Sequence, residues 1–346
     1  MATVPAIMAT MLAQSQPIAL DAALRLASDH YGFSGRIEPL TGERDQNFRL
    51  IAADGAEFVL KVAHAEQPEA ETELAVDVLE HVAQADATLP CPRVMRNRTG
   101  SNRTQFVDAR GLPRSAYLLT YLRGRPLGLT ERSRRQRAGC GELAGRLSRA
   151  LQGFEHAGAR RALIWDVRQA AEVLQLVDTL TDLGWRDAAG ELLRMIVPIV
   201  ENRLPALRHQ VVHNDLNAFN VLVDAGDPAR ITGVIDFGDV AYTALIADVA
   251  VTAAEQIPEE CVAERQIVHE AIADVVAAYD ACMPLRREEL ELLGTLVAAR
   301  LITGLVVQQW HLNHNPSGGH YAALDASFVE RRLDMAQWLV RAPQPL

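Results

Sequence analysis

The sequence predicts an α+β fold of two unequal lobes, a small β-rich N-terminal lobe and a larger, mainly helical C-terminal lobe. Three observations carry that expectation. Apolar alternation broken by an Asp54-Gly55 turn runs over residues 35–63, long segments with helical periodicity follow Glu131, and the breaker cluster Gly124-Arg125-Pro126 separates the two patterns. The lobes are accordingly placed at residues 1–123 and 124–346. A chain of 346 residues is long enough for two cores that share a cleft.

The N-terminal MATVPAIMATMLAQSQPIAL lacks a basic start and an unbroken apolar run, so it reads as a lead-in to a first helix and not as an export signal. IEPL, NFRLIAAD and EFVLKVA then read as strands, with the Asp-Gly pair joining the last two as a hairpin. In EAETELAVDVLEHVAQ, Leu74, Val78, Leu79 and Val82 fall on one helical face, and PCPRVM and SAYLLTYL read as further strands. Helices are expected near 131–157, 166–181 and 186–208 and again from about 243, with breaks near Pro258, Pro284 and Pro316. Short strands interrupt them at VVHNDLNAFNVLVD and ITGVIDFGDV.

Those two interruptions carry the chemistry. Apolar runs on both sides of HNDLNAFN would bring His213, Asp215 and Asn220 to one place, and ITGVIDFGD offers Asp236 from a third run. Phosphoryl transfer needs an attacking hydroxyl in line, a proton acceptor beside it and a metal between the phosphates. Asp215 suits the acceptor role, Asn220 and Asp236 are hard oxygen ligands for Mg²⁺, and His213 would brace the loop. An isolated H-x-D is common by chance. H-x-D-x-x-x-x-N followed sixteen residues later by I-D-F-G is specific.

In the small lobe, Lys61 interrupts FVLKVA and would be costly to bury without an anion, which a nucleotide's phosphates would supply. Glu71 and Glu73 both precede the apolar stripe of the following helix, and Glu73 is the favoured partner for Lys61. The loop LTGERDQNF lies where a phosphate-covering loop belongs but contains only Gly42. Backbone amides from Arg44 through Gln46 to Asn47 and the charge of Arg44 are its candidate phosphate contacts, and an ordinary polar hairpin is the competing reading.

Composition narrows the partners. A net charge of −10 argues against nucleic acid, and no stretch is expected to reach the roughly 20 apolar residues of a membrane span. Cys91, Cys140, Cys261 and Cys282 are scattered without a C-x-x-C pair, which points away from a zinc site or disulfide framework and toward a reducing cytoplasm. The Arg132–Arg137 run reads as a solvated helix face. Oligomeric state is not encoded in any visible pattern.

Lys61, HNDLNAFN and IDFGD resemble the aminoglycoside phosphotransferase and choline kinase superfamily. GERDQNF, YLLTYLRGRPL, Trp165-Asp166 and ARLITGLVVQQW...NHNPSGGHY look most like its hydroxylysine kinase branch. The resemblance covers residues 20–340 and implies a protein-kinase-like two-lobed fold. It also implies a purine of ATP or GTP against the Thr120–Leu122 backbone, and a small amino alcohol or hydroxy amino acid as acceptor. Hydroxylysine is favoured, with aminoglycosides, homoserine, choline or ethanolamine, or a catalytically silent nucleotide-binding module as alternatives.

Two departures stand out: the covering loop is glycine-poor, and Asn217 sits where protein kinases usually carry a lysine. No long activation segment and no A-P-E sequence follow Gly238, which disfavours a protein substrate. From Asp239 to Arg300 there are twelve acidic residues and four arginines, an acidic wall that would concentrate an amine unless the carboxylates decorate solvated helices. Asp166 and Asp239 are the acids placed near the acceptor amine, with Trp165 and Trp310 as candidate pocket walls, although buried tryptophans are usually core.

Overall fold

The computed structural model describes residues 7–8, 17–42, 44–180, 184–258, 264–315 and 323–341. The expected lead-in segment, Cys261 and the break at Pro316 lie largely or wholly outside the described residues. The N-terminal lobe contains α1 (Leu20–Tyr31), β1 (Gly35–Leu40), β2 (Gln46–Ala52), β3 (Glu57–Val62), α2 (Glu69–Ala85), β4 (Val94–Met95), β5 (Thr104–Val107) and β6 (Pro113–Thr120). Its strands form one antiparallel sheet in the order β1-β2-β3-β6-β4, with β5 also on β6. The Asp-Gly turn is present: Gly55 has φ 85° and donates its N–H to the Ala52 carbonyl at 3.0 Å.

Period-two alternation decides which helix each sheet face meets. Ala116 and Leu118 of β6 join Leu50, Leu60 and Val62 around Ala23, Leu26 and Ala27 of α1. Tyr117 and Leu119 belong instead to the core that holds Leu74, Val78, Leu79 and Val82 of α2 and continues into the second lobe. β5 was not legible because Thr104 and Gln105 within it, and Arg103 and Asp108 on either side, are too polar to show an alternation.

The C-terminal lobe holds β7 (Arg125–Pro126), α3 (Arg134–Ala150), α4 (Ala170–Val177), α5 (Arg186–Arg203), β8 (His209–Val212), β9 (Val221–Val223), β10 (Ile231–Val234), β11 (Ala241–Ala244), α6 (Leu245–Ala254), α7 (Arg265–Cys282), α8 (Arg287–His314) and α9 (Ala326–Arg341). Thr120 is the last residue of the large sheet and Arg125 already pairs with Val223, so the chain crosses between lobes in four residues. The crossing is tight. A Cβ on Gly124 would lie 2.6 Å from Thr232 Oγ1 and 3.0 Å from the Val223 carbonyl.

Helix ends fall inside the periodic segments for identifiable reasons. Ser133 starts α3 through a capping box, accepting from Gln136 N at 3.2 Å while its own N–H donates to Gln136 Oε1 at 2.7 Å. α5 stops at Arg203, where Pro205 enters a short 3₁₀ turn. In the basic run Arg134 and Arg135 stay exposed on the helix face, and Arg134 and Arg137 both bind Asp274 of α7.

α3 and α7 pack closely because small residues line the contact: a Cβ on Gly141 would sit 2.2 Å from the Val275 carbonyl. Gly141→Ala should gain about 1 kcal/mol of helix propensity and lose more, because backbone must move to relieve a clash of a kind that typically costs about 1–3 kcal/mol. A lowered melting temperature is the expected result, and a raised one would mean that the α3–α7 approach is not fixed.

One expectation is corrected by α8. Its 28 residues include an 18-residue window long and apolar enough to cross a membrane, contrary to the reading of the sequence. That window is 83% buried inside the protein, which is the position of a core helix. α8 packs against α4, α5, α6 and α9.

Candidate active site

The loop between β8 and β9 is pinned before it reaches its functional side chains. Asn214 adopts a left-handed φ of 66°, a conformation that asparagine tolerates, and its N–H donates to the buried Asp248 Oδ1 at 2.7 Å. Burial pushes Asp248 up to about 7, against the pull of that hydrogen bond. His213 is wholly buried, edge-on to Phe237, and its Nδ1 accepts from Asp215 N at 3.3 Å. Burial drives its imidazole down to about 4. His213 thus sits in the core with its ring against Phe237 and bonds the backbone of the loop that it begins.

Asp215 is held on both oxygens. Oδ2 accepts from Asn217 Nδ2 at 2.9 Å and Asn220 Nδ2 at 2.7 Å, whereas Oδ1 accepts from Arg300 Nη2 at 3.0 Å. Burial pushes its carboxyl up to about 6, against Arg300 and Asn217, with Asp236 and Glu255 adding to the rise. Asn217 also closes the turn, its Oδ1 accepting from Phe219 N at 2.7 Å and Asn220 N at 3.1 Å.

Asp236 follows β10 and takes a left-handed φ of 61°. Its Oδ1 accepts from Lys61 Nζ at 3.1 Å and from Gly238 N at 3.2 Å. Lys61 is the first cause holding this carboxyl below its usual range, against desolvation. Burial alone would lower the Lys61 ammonium, but Asp236, Tyr117 and Asp45 outweigh it and hold the pKa well above the ordinary value. Asp45 Oδ2 lies 3.6 Å from Lys61 Nζ. The strand lysine, the loop aspartate and the Asp236 carboxylate thus converge across the two lobes.

The residues fit a divalent cation that shares its shell with phosphates. Asn220 Nδ2 is spent on Asp215, so its amide oxygen is the atom left for a metal, and Asp236 Oδ2 is the second such oxygen. Among the described residues no three His, Cys, Asp or Glu side chains form a metal cluster. Two protein oxygens completed by phosphates and water are the usual arrangement for Mg²⁺.

The side chains of the nucleotide-side candidates have partners of their own, and neither glutamate meets Lys61. Glu73 pairs with Arg103 and does not reach Lys61; Glu71 binds Arg161 at 2.9 Å and lies 3.9 Å from Arg44. Arg161 in turn donates to the carbonyls of Gly238 and Val240, tying α2 to the Asp236 turn. Gln46 is used by the backbone of Ile18, whose N–H it accepts at 2.7 Å. Asn47 Nδ2 donates to the Thr41 carbonyl at 3.4 Å, and glycine is favoured at position 42 because a Cβ there would lie 2.3 Å from the Asp45 carbonyl oxygen. Thr120 Oγ1 accepts from Arg93 N at 2.9 Å, and Leu122 packs over Gly233.

The acceptor-side candidates divide. Asp166 is fully buried and satisfied by Arg168 Nε at 2.8 Å and Thr243 Oγ1 at 3.1 Å, so it is not open to an amine. Trp310 is fully buried, stacked on His314, and belongs to the core. Trp165 is near the site, with the Arg300 guanidinium 5.0 Å above its ring, and Asp239 lies in the turn that follows Asp236. Part of the acidic wall is taken up by arginines: Asp274 pairs with two, Glu289 with Arg208 and Glu291 with Arg203. Sequence reading missed Arg300, Glu255, Arg161 and Asp45. A lone arginine in the apolar run LVAARLITG was the available signal.

A hairpin lysine, a bracketed loop aspartate and a turn aspartate, set between a small sheet and a helical lobe, define a protein-kinase-like phosphotransferase. The chain belongs to the phosphotransferase enzyme family APH, whose pattern matches residues 36–291. The hydroxylysine kinase of Mus musculus is 27% identical to it, over 94% of this chain and 92% of the relative. An amicoumacin kinase solved with AMP-PNP and Ca²⁺ shares the fold at TM-score 0.70 and 15% identity, covering 93% of each chain. A microcompartment-associated aminopropanol kinase matches at TM-score 0.64 and 18% identity, over 92% of this chain and 95% of that one.

Proposed function

We propose that this protein is a hydroxylysine kinase-like enzyme that transfers the γ-phosphate of ATP or GTP to the hydroxyl of a small amino alcohol or hydroxy amino acid, hydroxylysine first. The observation that carries the reading is the bracketed Asp215. Its Oδ2 already takes two amide donors, so Oδ1, with one donor, keeps room for the acceptor hydroxyl. Asp215 then orients that hydroxyl and receives its proton as the new P–O bond forms and the γ-phosphate leaves the nucleotide's β-phosphate. Lys61 would turn from its carboxylates to the α- and β-phosphates, and Asn220 and Asp236 would hold Mg²⁺. When bound, Mg²⁺ neutralises the charge that accumulates between the β- and γ-phosphates.

The acceptor assignment is supported by similarity to hydroxylysine kinase over nearly the whole chain. Turnover of ATP and GTP should be measured separately against 5-hydroxylysine, homoserine, choline, ethanolamine and kanamycin, with Asp215→Asn as the blank. Selective stimulation by 5-hydroxylysine is expected. Turnover of kanamycin without hydroxylysine would assign antibiotic phosphorylation instead, and nucleotide binding without turnover of any acceptor would indicate a binding module.

A further inference from the structure

We propose that Arg300 is a positioning residue for phosphoryl transfer, a fork from α8 that locks the Asp215 carboxylate in the orientation in which Oδ1 meets the acceptor hydroxyl. The inference rests on the kinase reading above. Arg300 lies in the most apolar part of α8, between Ala299 and Leu301, and is only 6% exposed. A guanidinium buried there is costly unless its donors are used.

They are used on the catalytic side. Nη2 donates to Asp215 Oδ1 at 3.0 Å and lies 4.0 Å from Glu255 Oε1 at the end of α6. Nη1 donates to the Trp165 carbonyl at 3.3 Å, and the guanidinium lies over the Trp165 ring at 5.0 Å. Three separate segments therefore fix the plane of one side chain. That plane fixes the carboxylate: amides from Asn217 and Asn220 hold Oδ2, Arg300 holds Oδ1, and rotation about the carboxylate axis would break all three contacts. The loop itself supplies no cation to Asp215, since Asn217 and Asn220 are neutral. The positive charge arrives from a helix 85 residues further along the chain.

The geometry requires a fork. A lysine ammonium could meet Asp215 but could not also lie flat on Trp165 and bond its carbonyl. Misplacing a reacting group by about 1 Å can cost about 10²-fold in rate. Arg300→Met should therefore lower kcat by about 10²-fold with the nucleotide KM changed less than about twofold, and Arg300→Lys should recover about tenfold of that loss.

Both variants would be assayed with the acceptor that the wild-type enzyme prefers, alongside a thermal melt. Wild-type kcat in Arg300→Lys, or in folded Arg300→Met, would overturn the proposal while leaving the kinase reading intact. So would a loss in which kcat and nucleotide KM worsen together and follow the melting temperature, because that marks a merely structural contact. If Arg300→Met does not fold, the Arg300→Lys result alone decides. A wild-type enzyme that phosphorylates no acceptor would overturn the kinase reading, and the Arg300 proposal with it.

Discussion

Asp215→Asn is expected to lower kcat by at least about 10²-fold while leaving nucleotide binding largely intact. The loss has two sources. The amide cannot take the acceptor's proton, and its NH₂ group must face either Arg300 or the Asn217 and Asn220 amides, all of which are donors. One donor–acceptor contact thus becomes a donor–donor clash, and Arg300 loses its nearest anion. Removing one member of a buried pair typically costs about 3–5 kcal/mol of stability, so the variant needs a melt beside its kinetics. Nucleotide affinity is the internal control because Lys61, which meets the phosphates, lies in the N-terminal lobe and makes none of the hydrogen bonds to Asp215. Near-normal turnover by a folded Asp215→Asn enzyme would remove Asp215 from its assigned place.

The parts of this site that a reader of the sequence can find are those written in local pattern. HNDLNAFN and IDFGD are flanked by apolar runs that had to become strands β8, β9 and β10, so the convergence of Asp215, Asn220 and Asp236 followed from local structure. Lys61 was legible for a related reason: a charge inside FVLKVA needs an anion once the strand is buried. What was missed depends on which distant side chains meet. Glu73 and Glu71 look equivalent in sequence, and only the tertiary positions of Arg103 and Arg161 decide that neither pairs with Lys61. Asp45 takes part of that role from a loop whose local pattern suggested only phosphate contacts. Asp166 and Trp310 show the opposite failure, since residue types suited to binding an amine are here consumed by Arg168, Thr243 and the core.

Asp236→Ala is expected to abolish metal-dependent activity, and the comparison with Asp236→Asn separates the causes. Alanine removes three things at once. The metal oxygen goes, the counter-charge 3.1 Å from Lys61 goes, and a residue that tolerates a φ of 61° is replaced by one that does not. Asparagine keeps the backbone preference and can still accept from Gly238 N, but it carries no charge. If Asp236 serves as a metal ligand, both variants lose activity and raising Mg²⁺ restores Asp236→Asn only in part, because a neutral amide oxygen is a weaker ligand for a hard cation. Lys61 would remain paired with Asp45 within the N-terminal lobe in both, so nucleotide should still bind, more weakly, although the charged tie from Lys61 to the second lobe is lost. A Mg²⁺ titration of Asp236→Asn that overlays the wild type would move the metal assignment away from Asp236 and leave it only the structural task of holding Lys61.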